Sequence, residues 1–153
     1  MTWDLGFTLI NAIVVPAWLL LLLAPGWRTT RLVVHSGIYP LVFGAIYTVG
    51  LIASLFFGQS AEQSGMSNVS AVSALFDHPN GVLIGWTHYL VFDLFLGAWI
   101  ARDAPTRNIP HAIVAPCLIG CFIFGPVGLM AYMIVRLIRG HGMSLFPPDE
   151  REV

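Results

Sequence analysis

The chain has 153 residues, 57% hydrophobic and 10% charged, with a formal net charge of −1. A soluble domain carries about 25% charge and forms no apolar runs of about twenty residues, so the composition marks an all-α integral membrane protein. With no net positive charge and no basic tract, it also excludes a nucleic-acid partner.

The first apolar run, Leu5 to Leu23, has Asp4 ahead of it in place of a signal peptide's basic start, and no small-residue cleavage site follows. At 1.5 Å per residue it covers roughly 28 Å, close to a hydrocarbon core, and so reads as span one (about 5–23). Trp3 and Trp27 flank it as interfacial anchors. The chain begins directly at this span with no transit peptide, so it reads as bacterial or as a mature domain, and a bacterial inner membrane is the expected location. Asn11 and Pro16 interrupt the run and turn one face toward neighbouring helices.

Ala24-Pro25-Gly26 ends span one, and Arg28 and Arg31 follow. Span two covers about 37–57, with Ser36 as the expected N-cap and Pro40 in the first turn, where its missing N–H costs little. Gly58 to Asn80 is the longest polar stretch. Within it, Asn68 followed by Val69, Val72, Leu75 and Phe76 at helical spacing predicts a short helix lying at the membrane interface.

Span three, about 82–101, holds the most informative residues. A carboxylate within a span costs about 2.5–3.5 kcal/mol on insertion scales, so Asp93 needs a partner or a proton, and once protonated it is an acid. Asn11 is one candidate partner and Tyr89, one turn away, another. At 100° per residue Trp86, Tyr89, Gly97 and Ile100 share the Asp93 face, whereas His88 lies about 140° round, with Phe92, Phe95 and Trp99. Asp93 and His88 therefore do not form a metal-ligand pair, and no bound metal or cofactor is expected. The aromatic residues suit an apolar groove for a lipid-like ligand, or packing between helices. Arg102-Asp103 reads as an interfacial ion pair of little worth.

Span four covers about 111–138. Gly125-Pro126 falls mid-run and is expected to kink it, and Arg136 and Arg139 are expected to snorkel at its end. Cys117 and Cys121, four apart, read as small packing residues. Small residues in spans two and four permit a homo-oligomer. The expected architecture is thus one four-helix, up-and-down transmembrane domain, 1–140, with a polar mobile tail at 141–153. Loops one and three carry Arg28, Arg31, Arg102 and Arg107, against Arg136, Arg139 and Arg151 on the other side, so both termini are expected on the non-cytoplasmic side.

The block G-W-T-H-Y-L-V-F-D-L-F-L-G-A-W-I-A-R-D-A (85–104), then I-P-H (109–111) and A-P-C-L-I-G-C-F-I-F-G-P-V-G-L-M (115–130), resembles the ABA-deficient-four-like membrane proteins. The resemblance runs from about residue 5 to 139. It implies a four-helix membrane protein linked to xanthophyll chemistry, in plants the conversion of violaxanthin to neoxanthin. Trp86, His88, Asp93, Asp103, His111, Gly125 and Pro126 match the family's recognisable positions. The implied reaction opens an epoxide and removes a proton to form an allene, which requires one acid and one base and no redox cofactor. Asp93 is the expected acid and His88 or His78 the base, with Trp86, Tyr89, Phe92, Trp99 and His111 against the substrate. Two functions follow: a cofactor-independent isomerase of a carotenoid-like isoprenoid lipid, or a non-catalytic membrane module that binds such a pigment or assists its enzyme. A transporter fits less well, because the spans show no inverted repeat.

Overall fold

A computed structural model describes residues 3–146. Every regular element among them is helical: α1 (Trp3–Leu23), α2 (Arg28–Val33), α3 (Ile38–Phe56), α4 (Val69–Ala74), α5 (Pro79–Thr106), α6 (His111–Phe124) and α7 (Pro126–Ile138). Three stretches are long and apolar enough to cross a membrane: Trp3–Leu23, Arg28–Phe56 and Pro79–Thr106. The protein is therefore membrane-associated by its helices. Span three is longer than the apolar pattern implied. Its 28 residues extend about 42 Å, beyond a hydrocarbon core of about 30 Å.

Span two starts as expected, but Ser36 is not its cap. Gly37 holds that position, and the Ser36 hydroxyl donates back to the Val33 carbonyl at 2.9 Å. Asn68 does cap α4, its side chain accepting from the Ala71 N–H at 2.9 Å. That α4 lies at the membrane interface rests on its sequence pattern.

The expected fourth span is two shorter helices. Gly125 takes φ +22°, a conformation that favours glycine, and donates its N–H to Cys121 O at 2.9 Å. Pro126 then opens α7, where a residue without an N–H is at home. The chain reverses there instead of kinking. A Cβ on Gly128 would run into Cys121 N and Cys117 O and stand 2.6 Å from Cys121 Cα, and one on Gly120 would stand 3.1 Å from Gly128 Cα. Only helices touching backbone to backbone need both glycines, and a continuous helix would hold residues 120 and 128 about 12 Å apart.

The contacts divide the chain into two compact units, Met1–Val15 with Gly37–Val91, and Pro16–Ser36 with Phe92–Val153. In the first unit, Trp86 donates its indole N–H to Asn11 Oδ1 at 3.1 Å and packs on Phe7, and Tyr39 donates to Ile13 O at 3.1 Å. Most of the buried apolar residues lie in the second unit, among them Trp18, Leu21, Ile100, Val114, Leu118 and Tyr132. There Trp18 lies on Gly97, where a Cβ would stand 2.6 Å from its ring, and its ring centre is 5.4 Å from that of Phe122. The first residues of the expected tail are tied down by hydrogen bonds to Arg107 and Arg136; residues 147–153 of it lie outside the described range.

Candidate functional site

The first unit encloses a cavity of about 480 Å³ between α3, the connection to α5 and the first turns of α5. Helical spacing supplies two of its walls: Tyr47, Leu51 and Ser54 from α3, and Gly81, Ile84, Gly85 and His88 from α5. Glycine on α5 lets the connection lie directly on that helix. A Cβ on Gly81 would run into the Leu75 carbonyl oxygen, and one on Gly85 would stand 2.6 Å from the Phe76 ring. The walls are chiefly apolar. Polar groups are few: Tyr47, His88 and the hydroxyls of Ser54, Ser60 and Ser64. The Tyr47 and His88 rings lie tilted to each other at 49° with centroids 6.0 Å apart, and His88 is exposed.

Asn80 holds one end of the cavity together. It is buried, and its side-chain N–H groups face Gly50 O at 2.9 Å, Ser54 Oγ at 3.0 Å and Gln59 O at 3.1 Å. This fastens the last turns of α3, and the chain after them, to the start of α5.

Of the three expected catalytic residues, His88 lines the cavity. His78 accepts the Asn80 N–H on Nδ1 at 3.1 Å, an N-terminal cap for α5, and meets the edge of Trp3 at 5.8 Å. Asp93 is buried in the second unit, its carboxyl against Gly125: a Cβ there would run into Oδ1 and stand 2.6 Å from Cγ. Asn11, weighed as a partner for Asp93, accepts instead from Trp86.

The expected substrate-contacting residues divide between the two units. Trp86 stacks on Tyr89 at 5.2 Å in the first unit, and Phe92 is 54% exposed. Trp99 lies edge-to-face with Tyr132 in the second unit. His111 sets Nε2 2.8 Å from Leu22 O, on one of the carbonyls that the end of α1 leaves open. Among the described residues, no three His, Cys, Asp or Glu side chains stand close enough to hold a metal ion.

Two features escaped the sequence reading. Tyr47, within an apolar run, gives no sign that it faces His88. The second is a buried ionic cluster in the second unit. Asp103 does not pair with Arg102: its Oδ2 accepts from Arg107 Nε at 2.8 Å and Tyr132 Oη at 2.6 Å, with Arg136 Nη1 at 3.5 Å. Arg136, expected to snorkel, is 0% exposed, with its guanidinium 5.9 Å from the Trp99 ring centre. The four-residue steps from Asp103 to Arg107 and from Tyr132 to Arg136 were the available signal.

Residues 5–132 match the family of ABA DEFICIENT 4-like proteins. A similar curated protein is ABA DEFICIENT 4, chloroplastic, of Arabidopsis thaliana, 24% identical over 132 residues, which cover 82% of this chain and 57% of that protein. The chain thus spans little more than half the length of that relative. No solved structure is detectably similar. Because the named relative is chloroplastic, the expectation of a bacterial inner membrane finds no support here.

Proposed function

The chain belongs to the ABA DEFICIENT 4-like family, and from that premise we propose that it is a membrane-embedded, cofactor-independent isomerase of a carotenoid-like isoprenoid lipid. The observation that carries this reading is the cavity of about 480 Å³, apolar-walled, with the rings of His88 and Tyr47 close together on its lining. Its size falls within the range of about 300–1,000 Å³ typical of small-molecule sites. It has room for one ring end of such a lipid, while the rest of the polyene extends into the bilayer past exposed His88.

The chemistry balances without an external oxidant or reductant. A proton reaches the epoxide oxygen and a ring C–O bond breaks. A base takes a proton from the adjoining polyene carbon, and the electrons of that C–H bond form the new double bond. Imidazole is the side chain suited to accept that proton and phenol can donate one, so His88 is assigned as base and Tyr47 as acid. Tyr47 takes the acid role first expected of Asp93 because Tyr47 and His88 both line the cavity, whereas the Asp93 carboxyl lies against Gly125.

The test is pigment profiling in bacteria engineered to accumulate violaxanthin. The wild-type chain yields a new isomer of unchanged mass, resolved by chromatography and absorption. His88→Gln abolishes it and Tyr47→Phe lowers it by ~10²-fold or more, the scale of one general acid, while both variants still accumulate in membranes. Pigment that co-purifies with the chain but is recovered unaltered would overturn catalysis and leave a binding module.

A further inference from the structure

We infer that α6 and α7 form a re-entrant hairpin, which dips into the bilayer from the face where α5 ends and returns to it, and that this face is cytoplasmic. Its outer surface then contacts the acyl chains of that leaflet alone, and the chain crosses the membrane three times.

Length is the first argument. At 14 and 13 residues, α6 and α7 extend about 21 and 20 Å, each short of a hydrocarbon core of about 30 Å. Direction is the second. The reversal at Gly125, with Gly120 and Gly128 in backbone contact, lays the arms antiparallel. Both free ends meet the end of α5. The cleft there brings Pro25 and Gly26 beside Ala104, Ile109 and His111, where α6 begins. Where α7 finishes, Arg136 reaches Asp103, and Arg107 donates to His141 O at 3.4 Å, Ser144 O at 3.2 Å and Phe146 O at 2.7 Å.

Depth is the third. Asp93 precedes the end of α5 at Thr106 by 13 residues, about 20 Å along the helix, which is the length of an arm. The tip meets Asp93 at that depth. Non-helical backbone is tolerated within a membrane only where protein covers it, and Gly125 is buried while Phe122, Ile123, Phe124 and Val127 around it are exposed to lipid.

Charge is the fourth and is independent of the hairpin's geometry. Four spans would leave arginines on both faces. With a re-entrant hairpin, Arg28, Arg31, Arg102, Arg107, Arg136 and Arg139 all fall on the face where α5 ends, and the connection from α3 to α5 (57–78) contains no Lys or Arg. The positive-inside bias, nearly balanced for four spans, becomes one-sided and makes that face cytoplasmic.

Single cysteines at two exposed positions test the inference, Trp27→Cys between α1 and α2 and Met143→Cys after α7. Cells expressing each variant are treated with a membrane-impermeant maleimide, intact or as inside-out vesicles; the wild type, whose Cys117 and Cys121 are buried, sets the background. Both positions should label in inside-out vesicles and neither in intact cells. Labelling of the two from opposite sides would establish a fourth crossing and overturn the hairpin; labelling of both only in intact cells would overturn the cytoplasmic assignment. Trypsin on wild-type vesicles gives the same readout without a variant, since Arg28, Arg31 and Arg139 are exposed: cleavage near both positions from one side is expected, and cleavage near only one of them would overturn the inference.

Discussion

The two units accommodate buried polar groups in opposite ways. In the unit that contains the cavity, the buried polar residues are neutral, Asn80 and Thr87. In the other they include Asp93, Asp103, Arg107 and Arg136, together with most of the buried apolar side chains. A neutral amide joining two helices leaves the adjoining space open, whereas two guanidiniums around one carboxylate demand tight packing. The contrast teaches that the first unit is shaped to receive something and the second to hold its own shape.

Removing one member of the ionic cluster should give the largest effect. Asp103→Ala leaves the guanidiniums of Arg107 and Arg136 buried without their carboxylate, and a loss of about 3–5 kcal/mol is expected, read from denaturation of the purified protein in detergent. Tyr132→Phe removes only the 2.6 Å hydrogen bond to Asp103 and should cost about 1.5–3 kcal/mol, the range for a bond to a charged group. If both variants matched the wild type, the second unit would not be the rigid half. Gly128→Ala should cost about 1–3 kcal/mol or more, because the new methyl meets the backbone of Cys117 and Cys121, which cannot step aside.

The same change in the other unit should separate stability from function. Gly85→Ala meets only the edge of the Phe76 ring, itself 53% exposed and able to swing away. Its expected cost is below about 1 kcal/mol, small on the scale of core overpacking. Because Gly85 and Phe76 both line the cavity, the variant should nevertheless lower pigment turnover or retention. An unaltered pigment profile would show that the cavity is not the binding site.

What the sequence disclosed follows the range of the interactions. The faces of span three were legible because helical period is local: Asp93, Gly97 and Ile100 are buried, and His88, Phe92 and Phe95 exposed. The limits of α1, the start of α3 and the Asn68 cap were legible for the same reason. The reversal at Gly125 was not. Gly-Pro within an apolar run serves a kink and a turn equally, and the deciding feature, Gly120 against Gly128, is a contact between two helices. The site was less legible still. Nothing local distinguishes Tyr47 from other aromatic residues in an apolar run, and nothing near Asn80 shows that its amide reaches α3, 30 residues back.

The smallest expected effect is the most specific. The sequence alone pairs Asp103 with its neighbour Arg102, an arrangement that requires the two side chains to leave one helix in nearly the same direction. Consecutive residues are turned 100° apart, whereas residues four apart lie on one face, which favours Arg107. Arg102 is exposed, and the Asp103 carboxyl is occupied by Arg107, Tyr132 and Arg136. Arg102→Gln should therefore change stability by no more than about 0.5 kcal/mol, and should do so equally in wild-type and Tyr132→Phe backgrounds. A coupling between residues 102 and 132 in that double-mutant cycle would place Arg102 in the cluster. Its absence would leave Arg102 outside the cluster, with Asp103 bonded only from within it, by Arg107, Tyr132 and Arg136.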